Sequence, residues 1–414
     1  MTNVRDSDRS YPRIRFNGYS DAWQKRKLGE VARIVGGGTP STKNQEFWNG
    51  DIDWYSPAEI NTQIYVNKSQ KTITELGLKK SSAQLLPKGT VLFTSRAGIG
   101  KTAILSREGT TNQGFQSIIP TLNQLNNYFI FSQTYKLKHY GEINGAGSTF
   151  VEVSGKQMAK MPLHVPSITE QTQIGTLFQS LDNLITVNQR KVEKYQTLKK
   201  ALLQRMFVSG GSDIPQIRFN GYSEAWQKRK LGNISPLRGG FAFQSSQFVP
   251  NGIPVVRISN ILSEGKVGGD YLFYSEHQRD EKYRLPNGSW LLAMSGATTG
   301  KVAKLTFKAY EKYYQNQRVG YFQIQKDTNY NFIGVLVSSN LFLNQLKTVL
   351  VSGAQPNISS KDVDNFEFNI PSELSEQAKI GILFQFLDNL ITVNQRKVET
   401  YKELKKALLQ QMFV

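Results

Sequence analysis

The chain contains no cysteine and only three histidines, His139, His164 and His277. The first absence excludes a disulfide scaffold, a thiolate zinc site and a cysteine nucleophile. Widely spaced histidines without cysteine also leave no basis for a zinc finger or a multi-histidine metal site. Long apolar runs are missing. No stretch of 18 apolar residues occurs, and the opening Met1–Ser10 is polar. The sequence therefore predicts neither a membrane span nor a secretory signal, and a cytoplasmic location. Acidic side chains are scarce too, with 32 Asp and Glu against 51 Lys and Arg, a net charge of +19. Such a surplus points to a polyanionic partner, nucleic acid first. Solubility, or attraction to an acidic protein or a membrane surface, is the alternative. Residues 30–169 carry 14 basic and 9 acidic side chains, and residues 233–375 carry 14 and 11. The charge is thus spread along the chain, which suits folded binding surfaces better than a disordered basic arm.

What is present is 414 residues, 39% of them hydrophobic, enough for two or three domains. An internal repeat organises them. Ile14–Gly29 reads IRFNGYSDAWQKRKLG, and Ile217–Gly232 differs from it at one position, Asp21 against Glu224. A second block, Glu170–Val208, recurs as Glu376–Val414. The order is leader, segment, block, taken twice. The intervening segments are dissimilar apart from short echoes such as Gly100-Lys101 with Gly300-Lys301 and Asn112-Gln113 with Asn316-Gln317. The period is too long and the copy number too low for a solenoid. A duplicated half-molecule whose inserts diverged fits better than a duplication without functional meaning.

The repeated block predicts a helix. Apolar residues from Ile174 through Leu202 fall at spacings of three and four, with no proline among them. Pro166-Ser167 before it and Gly210-Gly211 after it are boundary signals. A helix of that length, roughly 55 Å, needs a partner, and the chain holds a second like it. Leu181, Ile185, Asn188, Val192 and Tyr195 follow a coiled-coil seam, matched by Leu387, Ile391, Asn394, Val398 and Tyr401. Antiparallel pairing would bring Asn188 and Asn394 together at the centre; the alternative is that each is solvated at the stripe's edge. The resulting plan is α+β, with two mixed α/β domains separated by two long antiparallel helices that form a coiled-coil spacer, giving a pseudo-twofold within one chain. Two domains so held could read two DNA sites about one turn, roughly 34–36 Å, apart.

No active site emerges. Arg96–Thr102 is Gly-rich, but Ser95 stands where a phosphate loop needs its first glycine, and Ser295 does so in the second copy. Both runs read as glycine turns between strands, with Lys101 and Lys301 exposed. Gly36-Gly37-Gly38 reads as a loop rather than a methyl-donor cradle. Asp280-Glu281-Lys282 and Glu264-Gly265-Lys266 match half of a nuclease motif whose Pro-Asp half is missing. No Gly-x-Ser-x-Gly elbow occurs.

In the segments, Thr90–Thr94, Ile253–Ile258 and Val319–Ile324 read as strands. Phe47, Trp48, Trp54, Tyr55, Phe241, Phe243 and Phe248 are expected mostly in cores. Base reading uses Arg or Lys toward guanine and Asn or Gln toward adenine. Candidate contacts are Arg96, Lys101, Asn112 and Gln113 in the first segment, and Arg257, Lys301, Asn316, Gln317 and Arg318 in the second.

The whole plan resembles the specificity subunit of type I restriction–modification systems. The resemblance rests on the leader (Arg15 to Gly29, again Arg218 to Gly232) and on Gly38-Thr39-Pro40 with Trp48–Trp54. It rests also on Pro166…Glu170-Gln171 and Pro371…Glu376-Gln377, and on Leu-Asp-Asn-Leu-Ile before Asn188 and Asn394. It implies leaders at 1–29 and 210–232, target recognition domains at 30–166 and 233–371, and spacer helices at 167–209 and 372–414. It implies a non-catalytic subunit that binds double-stranded DNA and docks two modification (methyltransferase) and two restriction (motor-nuclease) subunits in a bacterial or archaeal cytoplasm. No cofactor is expected on this chain; S-adenosylmethionine, ATP and Mg2+ belong to the partners. Because the two inserts differ, the expected target is bipartite and asymmetric. Two competing readings are a standalone methyltransferase or nuclease with a divergent site, and a scaffold bridging two proteins.

Overall fold

Two uninterrupted helices of 38 residues each, Ile168–Arg205 and Leu374–Gln411, occupy the repeated blocks. They belong to a computed structural model that describes residues 10–96, 98–146, 151–208, 212–307, 310–351 and 357–414, with the backbone alone for Gln278, Arg279 and Val351. Gly210-Gly211, Ala97 of the Gly-rich run and residues 1–9 of the polar opening lie outside the described residues. Among those described, no single helix is long and apolar enough to cross a membrane.

The chain forms two compact units. One comprises the residues up to Gln189 together with Gln395–Val414; the other is Arg190–Asn394. Each unit holds the first part of one long helix and the last part of the other. In the first unit Lys405 Nζ donates to Asp182 Oδ1 at 2.6 Å, and the Phe413 ring lies 5.6 Å from that of Phe178. In the second, Lys199 pairs with Asp388 and Phe207 with Phe384. In both units one helix is met in ascending and the other in descending order, so the paired parts run antiparallel.

The dissimilar segments share a core of four strands in one sheet and three in the other, to which each unit adds one edge strand of its own. In the first unit a five-stranded sheet has the order Ala32–Gly36, Gln116–Pro120, Val91–Phe93, Thr102–Leu105, Tyr65–Val66. A three-stranded sheet has the order Lys71–Ile73, Trp48–Tyr55, Thr110–Thr111. In the second unit the first sheet becomes Leu237–Arg238, Val319–Phe322, Trp290–Ala293, Val302–Lys304. The second becomes Phe248–Val249, Leu272–Tyr274, Ile253–Val256, Tyr314–Gln315. The strands are shorter than the sequence suggests. Thr90–Thr94 narrows to Val91–Phe93 and Val319–Ile324 to Val319–Phe322. Ile253–Ile258 stops at Val256, because Arg257 is the N-cap of a 3-10 turn, Ile258–Asn260.

The leaders close each unit. Gln24–Lys27 pairs antiparallel with Pro162–Val165, and Gln227–Lys230 with Glu367–Ile370. Arg15 makes two parallel bonds to the buried Glu170 carboxylate, at 2.7 and 2.8 Å, and Arg218 makes the same pair to Glu376. This fork geometry is specific to arginine and accounts for the Arg and Glu of the repeat. Hydrogen bonding to Glu170 and Glu376 holds both guanidiniums above their ordinary proton affinity, against the opposing effect of burial. The following glutamines tie helix to domain. Gln171 Oε1 accepts the Asn126 N–H while its amide donates to Gln124 and Pro166 carbonyls; Gln377 does likewise with Asn329 and Pro371. Glycine at Gly175 and Gly381 lets the helix approach the N-terminal turn of a domain helix, where a Cβ would meet Asn126 Oδ1 at 2.7 Å and Asn331 Cβ at 2.8 Å.

Each core sits where leader, domain and both helices meet. Trp23, Phe129, Phe178 and Phe413 are buried together in the first unit; Trp226, Phe207, Phe332 and Phe384 are buried together in the second. Phe207 and Phe413 each stand one residue before the end of a repeated block, so the block ending at Val208 completes the second unit and the block ending at Val414 completes the first.

Candidate nucleic-acid interface

In the first unit four loops converge at the ends of the two sheets. They are Gly37–Thr39, the turn after Ser56, the hairpin bend that carries Ser95, Arg96 and Gly98–Lys101, and Asn112–Gly114. The Asn112 N–H donates to the Tyr55 carbonyl at 3.0 Å, and its Oδ1 accepts the Gly114 N–H at 2.8 Å. Gln113 Oε1 accepts from the Thr39 hydroxyl. Gly114 offers its carbonyl to the Ser95 N–H at 2.8 Å. The packing demands glycine at Gly37, where a Cβ would stand 1.8 Å from the Asn112 carbonyl oxygen. Gly98 and Gly100, at φ of 105° and 98°, turn the hairpin through conformations that residues with a Cβ rarely adopt.

The second unit repeats the arrangement around the same Asn-Gln pair, with different residues beside it. A Cβ on Gly240 would lie 2.2 Å from the Asn316 oxygen. The Asn316 N–H donates to Val256 at 3.1 Å, as Asn112 does to Tyr55. These bonds align Arg257 with Ser56, Gln317 with Gln113 and Arg318 with Gly114.

Arg96 is partly exposed, 3.8 Å from Glu152 and close to the Asn112–Gly114 turn. Lys101 is exposed at the far side of the same hairpin bend, and Gln113 is exposed. Asn112 is half-buried, with its side-chain oxygen occupied. In the second unit Gln317 and Arg318 are exposed and Asn316 is half-buried. The Arg257 N–H donates to Asn260 Oδ1 at 3.0 Å, and its guanidinium reaches the Asp270 carbonyl at 3.5 Å. Lys301 departs from expectation. It is half-buried rather than exposed, because its ammonium donates to Ser263 Oγ at 3.0 Å.

The aromatics divide. Trp54, Tyr55 and Phe243 are buried; Phe47, Trp48 and Phe248 are half-buried; Phe241 is exposed and stacks on Tyr283 at 5.0 Å. Of the helix-seam residues, Leu181, Ile185, Asn188, Leu387, Asn394 and Val398 are buried, while Val192, Tyr195, Ile391 and Tyr401 are half-buried.

Sequence reasoning missed Arg238. It donates twice to Gln315 Oε1, at 3.0 and 2.8 Å, with its guanidinium 4.8 Å from the Tyr321 ring. Burial lowers its proton affinity, opposed by Tyr321 and Tyr283. The loop expected at Gly36-Gly37-Gly38 begins at Gly37, after the strand Ala32–Gly36, and its counterpart in the second copy was missed, although Gly36-Gly37 and Gly239-Gly240 stand at the same offset, 203, as the two leaders. That shared offset was the available signal. Among the described residues no group of three or more His, Asp or Glu could hold a metal ion.

The family model for the type I restriction modification DNA specificity domain matches the chain twice, over residues 20–200 and 223–403. The chain belongs to this family. What such a domain contributes is recognition of a DNA target, not catalysis. The chain is 27% identical over 403 residues to the type I restriction enzyme MjaIX specificity subunit of Methanocaldococcus jannaschii, covering 94% of this chain and 91% of that one. It is 28% identical over 216 residues to the EcoR124I/EcoR124II specificity subunit of Escherichia coli, covering 47% of this chain and 53% of that one. The crystal structure of the S subunit from M. genitalium shares the fold, with a TM-score of 0.61 at 12% identity over 98% of this chain and 99% of that one. The α+β plan, with a mixed α/β domain in each unit and two long helices, is that of the specificity family.

Proposed function

We propose that each unit reads one half of an asymmetric, bipartite double-stranded DNA target through its four-loop cluster. One observation carries the reading: an equivalent backbone cradle, with Asn112-Gln113 in one unit and Asn316-Gln317 in the other, presents Arg257 and Arg318 in the second unit where the first has Ser56 and Gly114. Equivalent cradles suit equivalent tasks, and different side chains suit different base sequences. Arg96, Lys101, Asn112 and Gln113 serve the first half-site; Arg257, Lys301, Asn316, Gln317 and Arg318 serve the second. Exposed Gln113, Gln317 and Arg318 are suited to base edges. Half-buried Asn112 and Asn316 position the loops, and Lys101 and Lys301 suit phosphates, which orient without specifying.

The target recognition domains span 30–166 and 233–371, each preceded by its leader at 1–29 or 210–232, with the spacer helices at 167–209 and 372–414. Leu181, Ile185, Asn188, Val192 and Tyr195 pair with Leu387, Ile391, Asn394, Val398 and Tyr401. The outer faces of the helices dock two methyltransferase subunits, and two motor-nuclease subunits join for restriction. Those partners bring S-adenosylmethionine, ATP and Mg2+, and the assembly works in the cytoplasm. Mapping methylated adenines in a genome with this chain present and absent tests the proposal. The expected result is one split, non-palindromic motif that disappears with the chain. A palindromic motif, or an unchanged methylation pattern, would refute it.

A further inference from the structure

The two copies of the long helix are identical over 13 residues, Leu181–Glu193 and Leu387–Glu399. Part of this shared surface is apolar and open, with Leu184 42% and Val187 47% exposed in one copy and Val393 47% exposed in the other. One surface displayed twice calls for one partner species taken twice. Just before this stretch the copies part. The first helix carries Thr176 and Ser180, both exposed, with the serine hydroxyl turned back onto the Thr176 carbonyl at 2.8 Å. The second carries Ile382 and Phe386, which are 61% and 58% exposed. Ile382, Phe386, Leu390 and Val393, at steps of four, four and three, lie along one helix face. The first helix has the same stripe, polar in its first half.

We infer that the two helix faces hold their two methyltransferase subunits unequally, and that the face bearing Ile382 and Phe386 is the tighter and fills first. This rests on the proposal that the outer faces dock those subunits. The occupant is the one that proposal assigns to these faces, its taking in two copies follows from the duplication of the surface, and the asymmetry follows from four side chains. A large aromatic and a branched aliphatic that leave water on docking contribute far more than a threonine and a serine at the same places.

Titrating the full chain with the methyltransferase subunit of its own system, followed by calorimetry and native mass spectrometry, tests this. The expected result is two bound copies whose affinities differ roughly ten- to a hundredfold. The double variant Ile382→Thr, Phe386→Ser should bring the tight step to the level of the weak one at an unchanged melting temperature, since both side chains are exposed. The reciprocal Thr176→Ile, Ser180→Phe should raise the weak step. Two equal steps in the unmodified chain would overturn the inference and leave docking intact. No binding at all would overturn docking itself. Self-association of the chain, abolished by Ile382→Thr, Phe386→Ser, would give the face to a second copy and overturn the inference.

Discussion

Glu170 and Glu376 each gather a leader arginine onto the start of a long helix, and both carboxylates are buried. Removing one partner of such a pair strands a charge without compensation. Glu170→Gln should therefore lower stability by about 3 kcal/mol, measured as a shift of the urea midpoint, and the added loss from Arg15→Ala should be well under additive. A second residue-scale expectation concerns pH. Burial, then Lys136 and Lys25, hold His164 below the ordinary imidazole value of 6.5. The folded state thus takes up this proton less readily than the unfolded one. The contribution is fully present above pH 6.5 and is lost as pH falls through the lower folded-state value. His164→Asn, which copies Asn369 at the matching register position, should flatten that acid-side loss in thermal melts taken across the range. At this scale the sequence was legible in residue type only. Arginine, asparagine and glutamine in loops suggested base reading. Nothing local showed that Gln113 would meet Thr39, 74 positions away, or that Lys301 would fold back onto Ser263. Such pairings depend on how separate loops pack.

The long helices were the most legible elements, because a spacing of three and four sustained without proline admits few other conformations. The strands were located but overrun, since apolar, branched residues continue past the last ladder bond until a turn such as that after Arg257 diverts the chain. The sheet order, common but for one edge strand in each unit to segments with little sequence in common, was illegible; strand pairing is a long-range property that no local pattern encodes. Asn188 and Asn394 are each 6% exposed, and each amide donates to the carbonyl four residues earlier, Leu184 and Leu390, at 2.6 Å. Their donors are thus partly satisfied within their own helices. Under the proposed pairing, replacing both with leucine should raise the melting temperature and weaken register, seen as a broader set of engineered inter-helix disulfide positions that form. A lower melting temperature with a single preserved register would count against the pairing.

At the scale of the molecule, the net charge of +19 should make DNA binding strongly salt-dependent. Six or more phosphate contacts would cost about a thousandfold in affinity between roughly 50 and 200 mM salt; fluorescence anisotropy on a methylation-mapped target would measure it, and a flat response would assign the charge another purpose. The duplication was legible from two near-identical blocks. The composition of the compact units was not, because the first unit draws on residues separated by the whole of the second. Synthesis therefore meets the two halves unequally. Phe207 is made before most of the core it enters, so the second unit can close as soon as its own residues emerge. Trp23, Phe129 and Phe178 must wait for Phe413. The half translated first is the half that finishes last, and during that delay its unfilled apolar cleft is the place where a chaperone would be needed.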